Sequence, residues 1–281
     1  MGEPLEGMGA LPGEAMRHYA EVYDESQRLF RGTGRLELAR SQELLLRYLP
    51  PPPATVLDVG GGPGVYSLWL AGEGYQVSLI DAVSSHVEQA QQASAAQLDH
   101  PLVAAAVGDA RHLEQPDESA GAVLLFGPLY HLTEREDRLL ALREARRVLR
   151  SGGMVLAAAI SRFASTFDGL WHGFLDDPVF QGIVRQDLTD GQHRNPTNHP
   201  RYFTTTYFHH PAELQTEIGD AGLQHEATLA IEGPGWLLPD FDAHWNDSDR
   251  RERLLDMTRR IEAEPSLLGA SAHLMAIGRK P

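Results

Sequence analysis

A glycine-rich segment carries the clearest chemical signal in this 281-residue sequence. Residues 56–64 read VLDVGGGPG, an apolar run that ends in a turn and opens a helical stretch. The pattern D-x-G-x-G-x-G is formed by Asp58, Gly60, Gly62 and Gly64. Glycine lets the backbone approach a ligand closely and adopt positive φ, and the following helix directs its partly positive N-terminus at that ligand. The turn, with Gly61 inside it, is therefore predicted to bind a small molecule.

A dinucleotide-binding loop is the competing interpretation of this turn. The G-x-G-x-x-G pattern of such loops fails from Gly60, because Val65 stands at the third glycine position. It also fails from Gly62, because it would end on Ser67. An acidic residue such as Asp58 is unfavourable beside a pyrophosphate, but it suits the positive sulfonium and amino groups of S-adenosylmethionine (SAM). A glycine-rich turn without any ligand is the remaining alternative.

Two more acidic residues stand at the ends of apolar runs. A carboxylate at the end of a second strand, as Asp81 would be, can accept hydrogen bonds from both hydroxyls of a ribose, with Ala82 alongside. After the third run, Asp109 can accept the adenine amino group while the backbone of Ala110 and Arg111 reaches the ring. A helix-capping aspartate and an ordinary Gly-Asp turn are the alternatives. Because ligands of open α/β sheets bind at the carboxyl ends of strands, the three signals together predict one nucleoside site.

Apolar runs typical of buried strands alternate with helical stretches after the prolines at 50–53. The apolar runs are 55–59, 76–80, 102–107, 122–126, 154–160, 225–231 and 272–279. The plainest helical stretches are 65–73, 84–98, 134–149 and 211–221. This alternation predicts a doubly wound parallel sheet in an α/β domain at 54–281. Residues 1–53 are predicted to form a tail and a helical lid.

Two segments break the alternation and are interpreted as insertions on the rim of the predicted site. The first, at about 161–208, is rich in aromatic, His, Asn and Pro residues, and the second, at about 233–268, contains Trp236 as a pocket wall or a core residue. Histidines without helical His-x-x-x-His spacing or nearby acidic residues predict no metal site. The first insertion is instead expected to form a polar and aromatic pocket. Its candidate residues are His193, Asn195, Asn198, His199, Arg201, Tyr202, Phe203, Tyr207, His209 and His210. The alternative for most of these histidines is that they are hydrogen-bonded loop residues without a role in the pocket.

Residues 55–160 resemble the core of the class I SAM-dependent methyltransferases. The matching residues are Asp58, Gly60, Gly62 and Gly64 in the first motif, Asp81 as the ribose-binding acid, and Gly108-Asp109-Ala110 as the adenine contact. The segment 149–154 resembles the family's L-[RK]-P-G-G turn, with Ser151 in place of the usual proline. The resemblance implies SAM as cofactor. It also implies a mostly parallel seven-stranded sheet whose last strand lies antiparallel between the fifth and sixth, with the insertions following those two strands.

The segment after the fourth predicted strand lies where class I enzymes contact the methyl acceptor. Phe126 and Gly127 are expected to contact the cofactor. His131 is a candidate general base near neutral pH, with orientation of the next helix as the alternative, and Tyr130 is a candidate catalytic residue that better suits a pocket wall. The sequence GPLY stands where enzymes that methylate amide or nucleobase amino groups carry an N-P-P-Y tetrapeptide. It gives no support to amino-group methylation.

Two residues of the N-terminal helices are further candidates for the cofactor site. Tyr19 belongs to the first helical stretch, and Arg35 begins the second. If these helices fold over the cofactor, Arg35 is expected to pair with the methionine carboxylate. The alternative is that both helices simply pack on the sheet.

The composition limits the remaining choices. A formal net charge of −15 argues against a nucleic-acid acceptor, because phosphate contacts normally require a basic surplus. No cysteine is present, which excludes disulfides and a thiolate nucleophile. Without a signal-like N-terminus or an apolar stretch of about 18 residues, a cytoplasmic protein is expected. The sequence thus predicts a methyltransferase for a small molecule. The alternatives are an RNA or peptide acceptor, SAM binding without catalysis, and an NAD(P)-dependent oxidoreductase, and the oligomeric state stays open.

Overall fold

The computed structural model describes residues 25–281, with side chains from residue 27 onward. Tyr19 and the predicted tail lie outside the described residues. The strands are β1 (Thr55–Val59), β2 (Gln76–Asp81), β3 (Ala104–Val107), β4 (Ala120–Leu125), β5 (Leu149–Ser161), β6 (Gln192–His193), β7 (Thr206–His209), β8 (Gln224–Ala230) and β9 (His273–Arg279). The helices are α1 (Glu25–Arg28), α2 (Gly34–Tyr48), α3 (Val65–Gly72), α4 (Ser84–Ala96), α5 (Pro128–His131), α6 (Arg135–Val148), α7 (Ala164–His172), α8 (Pro178–Asp190), α9 (Pro211–Asp220), α10 (Phe241–Asn246) and α11 (Ser248–Ile261).

The main sheet has the strand order β3-β2-β1-β4-β5-β9-β8. The first five strands run parallel, and β9 lies antiparallel between β5 and β8. This arrangement confirms the predicted mostly parallel sheet with an antiparallel last strand, but β7 and β6 extend it from the predicted seven strands to nine. Because the parallel strands share one direction, their carboxyl ends meet at one rim.

Hydrophobic side chains cover both faces of this sheet. Successive residues of β4 point to opposite faces, so Val123 joins one buried cluster and Leu124 the other. On the first face Val123 packs in a cluster with Leu142 of α6 and Leu214 of α9. On the second face Leu124 shares a cluster with Leu44 of α2 and with side chains of α3 and α4. Burial on both faces explains why these strands read as continuous apolar runs.

The first insertion is more regular than its sequence suggests. It contains α7, α8 and the short strands β6 and β7, and β7 extends the sheet by pairing parallel with the end of β5, Ile160 opposite Phe208. Asp177 caps α8 by accepting from the backbone N–H of Val179, and Gly191 ends the helix in the left-handed conformation. The aromatic composition hides the helical period here. The insertion therefore builds a second wall above the carboxyl ends of β4 and β5.

The second insertion packs against the N-terminal helix α2. Leu36 of α2 forms a buried cluster with Phe241 and Leu255, which belong to α10 and α11. The other side of α2 contributes Leu44 and Leu45 to the cluster on the sheet. Helix α2 is thus held between the sheet and the second insertion. Within residues 25–281, none of the helices has the length and apolar character needed to cross a membrane.

Candidate active site

A cavity of about 390 Å³, called here the edge cavity, opens at the carboxyl ends of β1, β2, β3 and β4. Most of the residues predicted to bind the cofactor line it: Gly60, Gly61, Gly62, Asp81, Ala82, Asp109, Ala110, Arg111, Phe126 and Gly127. Tyr130 and His131, the two catalytic candidates, also belong to its walls. Its size lies within the range of about 300–1,000 Å³ that is usual for small-ligand sites.

The glycine turn after β1 is tightly packed on both sides. Gly60 and Gly62 adopt positive φ, 75° and 56°, which side chains disfavour. A Cβ atom on Gly60 would lie 2.6 Å from Cδ of Pro128, and one on Gly61 would lie 2.7 Å from Oδ2 of Asp58. The turn therefore presents bare backbone to the cavity, and no larger residue fits without displacing a neighbour.

Asp58 lies beneath this turn rather than in the cavity wall. It is 1% exposed, and its Oδ2 accepts a hydrogen bond of 2.7 Å from Ser67 Oγ. Burial and the nearby Asp81 carboxylate raise the pKa of Asp58 to about 6, against the opposing hydrogen bond from Ser67. The predicted direct contact between Asp58 and the ligand is corrected accordingly. The carboxylate supports the glycine turn from below.

Gly64 also lies outside the walls of the edge cavity. It is the N-cap of α3 with φ of 91°, and a Cβ atom there would lie 3.3 Å from Cβ of Ala90 on α4. The glycine therefore serves the start of α3 and its close approach to α4. The sequence pattern placed it correctly in the turn, but its role is packing.

Asp81 is held in place at the end of β2 with both oxygens oriented. Oδ2 accepts from the backbone N–H of Gly62 and Oδ1 from that of Val83, each at 2.8 Å, and Nδ1 of His86 lies 3.3 Å from Oδ1. A carboxylate offers about four acceptor positions, so capacity remains for ligand hydroxyls. Asp81 thus couples the glycine turn to the wall where a ribose would lie.

The third acidic residue, Asp109, is paired with a neighbour that also lines the cavity. Arg111 donates from Nη2 to Asp109 Oδ2 at 2.6 Å and from Nη1 to Asp137 at 3.0 Å. Burial acts against ionisation, yet the Arg111 hydrogen bonds hold the pKa of Asp109 below its ordinary value. The Asp109 carboxylate is therefore ionised and fixed, and part of its acceptor capacity is already used by Arg111.

A second cavity of about 320 Å³, called here the insertion cavity, adjoins the first. Arg28, Tyr130 and His273 line both. The remaining walls come largely from the first insertion and include Phe180, His193, Arg201, Tyr202, Phe203, Phe208 and Trp236. Ser165 of α7 is a further wall residue, 5% exposed, and its Oγ has no hydrogen-bond partner among the described residues.

Four of the ten polar and aromatic candidates of the first insertion therefore line this cavity: His193, Arg201, Tyr202 and Phe203. Others have structural contacts. His209 Nε2 lies 3.3 Å from Glu217, His210 caps α9, and the Asn195 amide bonds two loop carbonyls. Both ring nitrogens of His193 also form hydrogen bonds within the insertion. Nδ1 lies 2.9 Å from Asp187 Oδ2, and Nε2 lies 2.7 Å from the Tyr202 carbonyl oxygen. The histidines of the insertion thus fix its shape.

The two catalytic candidates occupy different positions. The Tyr130 hydroxyl donates to the Phe126 carbonyl at 3.2 Å, and its ring centroid lies 4.7 Å from that of His131. Tyr130 separates the two cavities, whereas His131 lines the edge cavity and is not among the described walls of the insertion cavity. Tyr130 therefore forms part of the wall between the two cavities, and His131 faces the edge cavity.

An ion-pair network that the sequence analysis missed stands where the cavities meet. Arg28 pairs with both oxygens of Glu37, and Nδ1 of His273 lies 2.6 Å from Glu232 Oε1. Burial opposes the charge on His273, but Glu37 and Glu232 raise the pKa of its imidazole to about 9. One ligand atom from each of Glu37, Glu232 and His273 falls within 4.8 Å of the others. Because Glu37 is already paired with Arg28, and Glu232 with His273, we interpret the group as a network of ion pairs.

Arg35 does not reach either cavity. Its guanidinium pairs with Asp242 and donates to Asn246 at 3.0 Å, and it lies 5.8 Å from the ring centroid of Phe241. The start of α2 turns this side chain toward the second insertion. The prediction that Arg35 contacts the methionine carboxylate is corrected, and Arg28 is the arginine of this region that lines the edge cavity.

Comparison with known proteins agrees with this geometry. Residues 56–153 match the family model described as a methyltransferase domain. A tRNA 5-carboxymethoxyuridine methyltransferase of Escherichia coli (strain K12) is 26% identical over 281 aligned residues, covering 94% of this chain and 97% of the relative. The S-adenosyl-L-methionine-dependent Diels-Alderase iccD of Talaromyces variabilis is 26% identical over 184 residues, covering 54% of this chain and 62% of the relative.

Solved structures share the fold. The crystal structure of a SAM-dependent methyltransferase from Methanosarcina mazei superimposes with a TM-score of 0.57 at 18% identity. The match covers 84% of this chain and 96% of that one.

Proposed function

The chain belongs to the class I SAM-dependent methyltransferases, and on this basis we propose that it transfers a methyl group from SAM to a small-molecule acceptor bound in the insertion cavity. SAM supplies a methyl group already activated by attachment to a sulfonium. The protein's task is therefore to align acceptor and methyl group and to exclude water.

The residues of the edge cavity fit SAM as a ligand. In the proposed arrangement Asp81 receives the ribose hydroxyls, and Asp109 with the backbone of Ala110 contacts the adenine. The bare backbone at Gly60 and Gly62 leaves room for the methionyl part, and Phe126 and Gly127 continue the wall, with Gly127 packed next to Gly60. The negative charges of Asp58 and Asp81 near the turn favour the positive groups of this cofactor.

One observation carries the proposal for the acceptor: the insertion cavity shares Arg28, Tyr130 and His273 with the edge cavity. The two cavities adjoin at these side chains, so an acceptor in the insertion cavity would lie next to the cofactor site. Side chains of the first insertion and Trp236 enclose that space, and a walled pocket of about 320 Å³ suits a compact metabolite.

An RNA acceptor is the second candidate. It is favoured by the relative named for tRNA 5-carboxymethoxyuridine, because the alignment spans nearly the whole of both chains. The net charge of −15 argues against it, since RNA binding draws on phosphate contacts. A pocket that takes a planar ring would admit a single nucleobase as well as a free metabolite. The two candidates are therefore separated by the size of the labelled product.

The test is methyl transfer from SAM labelled at its methyl group, offered separately to the small-molecule and the RNA fractions of a bacterial extract. We expect label in a low-molecular-weight product. Label in RNA would overturn the small-molecule acceptor, and SAM binding without transfer to either fraction would indicate a binding protein without catalysis.

A matched pair of variants locates the acceptor. Ala164→Leu fills the insertion cavity, whereas Ala95→Leu adds the same bulk on the exposed face of α4. We expect Ala164→Leu to lower transfer about 10-fold or more while SAM binding stays unchanged, and Ala95→Leu to change neither. Equal activity of both variants would place the acceptor elsewhere.

A further inference from the structure

Two residues that line the insertion cavity each carry a polar side-chain atom without a hydrogen bond to residues 27–281. Oγ of Ser165 is buried and has no partner in residues 27–281. His273 bonds through Nδ1 to Glu232 at 2.6 Å, and its other ring nitrogen, Nε2, makes no hydrogen bond within the same range. Buried polar groups in folded proteins are nearly always paired, so Ser165 Oγ indicates a ligand position. The His273 side chain is 23% exposed, and its Nε2 offers a second donor on a residue that lines both cavities.

The two atoms belong to residues at different positions relative to the edge cavity. His273 lines both cavities, and therefore lies at the end where the methyl group arrives. Ser165 lines the insertion cavity and is not among the described walls of the edge cavity, so it lies toward the far end. An acceptor that uses both must carry one polar group at its reacting end and another at the opposite end.

Charged groups from several elements surround His273. Glu232, which follows β8, pairs with its Nδ1. Glu37 of α2 lies 3.7 Å from the same nitrogen and is itself paired with Arg28 of α1. Asp168 of α7 lines the insertion cavity as well. Glu232 also accepts from Ser271 Oγ at 2.9 Å and from the His273 backbone N–H at 3.0 Å. Glu37 is held by Arg28. Both carboxylates are thus occupied, and the pKa of about 9 keeps His273 protonated at neutral pH.

Aromatic rings provide the remaining walls. The Phe180 and Tyr202 ring centroids are 4.8 Å apart, and Phe203, Phe208 and Tyr130 complete the enclosure. Such walls favour a planar, largely apolar body. A protonated amine is disfavoured here, because it has no lone pair with which to accept a hydrogen bond from His273 Nε2–H or to receive the methyl group.

We propose, resting on the function proposed above, that the acceptor is a planar aromatic molecule methylated on an anionic oxygen, a carboxylate or phenolate, which His273 Nε2–H holds, while Ser165 Oγ binds a second polar substituent. In this step an oxygen lone pair forms the new O–C bond. The S–C bond breaks and its electron pair returns to sulfur, so the acceptor loses its negative charge and the sulfonium becomes a neutral thioether. Because the oxygen is already deprotonated, no base is required and His273 keeps its proton.

The test is to identify the atom that receives the methyl group. Product formed from methyl-labelled SAM and the extract fractions is examined by NMR, in which O-methyl, N-methyl, S-methyl and C-methyl groups resonate apart. We expect an O-methyl signal. A free aromatic acid or phenol and an RNA base that carries a carboxylate share this chemistry, and the small-molecule and RNA arms distinguish these two sources. A signal from an N-, S- or C-methyl group would overturn the proposal.

Variants then test the two polar atoms with the labelled acceptor. His273→Gln should lower kcat/KM about 10-fold or more, because a charge-assisted hydrogen bond is lost, and the affinity for S-adenosylhomocysteine should not change. Ser165→Ala should raise KM with little change in kcat. His100→Gln, on an exposed turn, is the control and should behave as the wild type.

The pH dependence of kcat/KM distinguishes a direct role of His273 from a structural one, because a structural role would leave that dependence unchanged. With His273 protonated below its pKa of about 9, kcat/KM should be high at neutral pH and fall as the pH rises through that value. The fall should be absent in His273→Gln. A variant with the wild-type rate and profile would refute the role of His273. If S-adenosylhomocysteine binds but no product of any kind is labelled, the methyltransferase proposal itself fails, which is a distinct result.

Discussion

The edge cavity and the insertion cavity are built in opposite ways. Each main contact in the edge cavity follows directly after a strand, so that a short motif such as Gly60–Gly62 or a single Asp81 sits at the rim by local connection alone. The insertion cavity is assembled from α1, α7, the loop before β7 and the start of β9. Its residues meet only because the whole fold brings them together. The cofactor side therefore depends on backbone conformation, and the acceptor side on buried long-range pairs.

On the acceptor side, the substitution with the largest expected effect on stability breaks the buried ion pair between Arg138 and Glu217. Both side chains are almost fully buried, and Nη2 lies 2.7 Å from Oε1, while Nη1 of Arg138 also donates to the carbonyls of Leu132 and Thr133. These bonds brace the loop that follows Tyr130. We expect Arg138→Met to lower the free energy of unfolding by about 3–5 kcal/mol, because it removes the arginine partner of a buried carboxylate and leaves it with the imidazole of His209 at 3.3 Å.

Arg135→Met on the same helix is the control for this prediction. Arg135 pairs with Asp220 at the surface, and its Nε lies 4.0 Å from Glu217, beyond hydrogen-bond distance. It should therefore contribute less than about 1 kcal/mol. The measurement is denaturant unfolding of both variants. Similar values for the two would mean that the long-range pair does not stabilise this side of the molecule.

On the cofactor side, the largest effect should come from Gly60. In Gly60→Ala the alanine would have to adopt a positive φ, and its Cβ atom would lie 2.6 Å from Pro128. Because the turn must shift to relieve this contact, SAM affinity should fall about 100-fold. Gly152 has nearly the same φ, 76°, and open space around its Cβ position. Gly152→Ala should therefore cost about 1–2 kcal/mol of stability through backbone strain and leave SAM binding intact. Calorimetry and unfolding of the pair separate strain from contact, and equal SAM affinities would show that the close packing at Gly60 is dispensable.

Asp58 gives a pH-dependent test of the same turn. Its folded-state pKa, about 6, lies above the ordinary 3.8, so the ionised carboxylate destabilises the fold and protonation relieves this. As the pH falls through about 6, the free energy of unfolding of the wild type should rise relative to that of Asp58→Asn. The total rise is on the order of 2–3 kcal/mol and is complete once Asp58 is protonated in both the folded and the unfolded state. Parallel unfolding curves across this range measure the difference. A difference that does not change with pH would contradict the buried position of the charge.

The smallest expected effect concerns the partition between the cavities. Tyr130→Phe keeps the ring and removes one hydrogen bond to the Phe126 carbonyl, so kcat should change less than about threefold. A loss of several orders of magnitude would make the hydroxyl a catalytic group and would contradict its assignment as a wall. Steady-state kinetics with the identified acceptor decides between them.

The same contrast explains how much could be predicted from the sequence. Strand runs and the glycine turn were readable because their signals are local, and the family's topology supplied the antiparallel last strand. Asp58 was misplaced because a residue inside a strand end can point below the turn as well as into the site. Arg35 was misplaced because α2 turns it toward the second insertion, a contact between residues far apart in sequence.

The acceptor side could be predicted only in part. The aromatic composition of the first insertion indicated a pocket, but it did not separate wall residues such as Phe203 from structural ones such as His209. Arg28 and Glu37 gave no sequence signal, since their pairing depends on how α1 meets α2. His273 was within reach of prediction. An antiparallel strand begins at the rim where the parallel strands end, so the first residue of β9 belongs to the site.

The central claim, that the edge cavity holds SAM against Asp81, is tested most directly by calorimetric titration of SAM and of S-adenosylhomocysteine into the folded protein. Asp81→Asn serves as the variant and Asp99→Asn, on an exposed turn, as the matched control. We expect micromolar binding by the wild type and the control, weakened about 10-fold or more in Asp81→Asn. Absence of binding by the folded wild type, or equal affinity in Asp81→Asn, would contradict it.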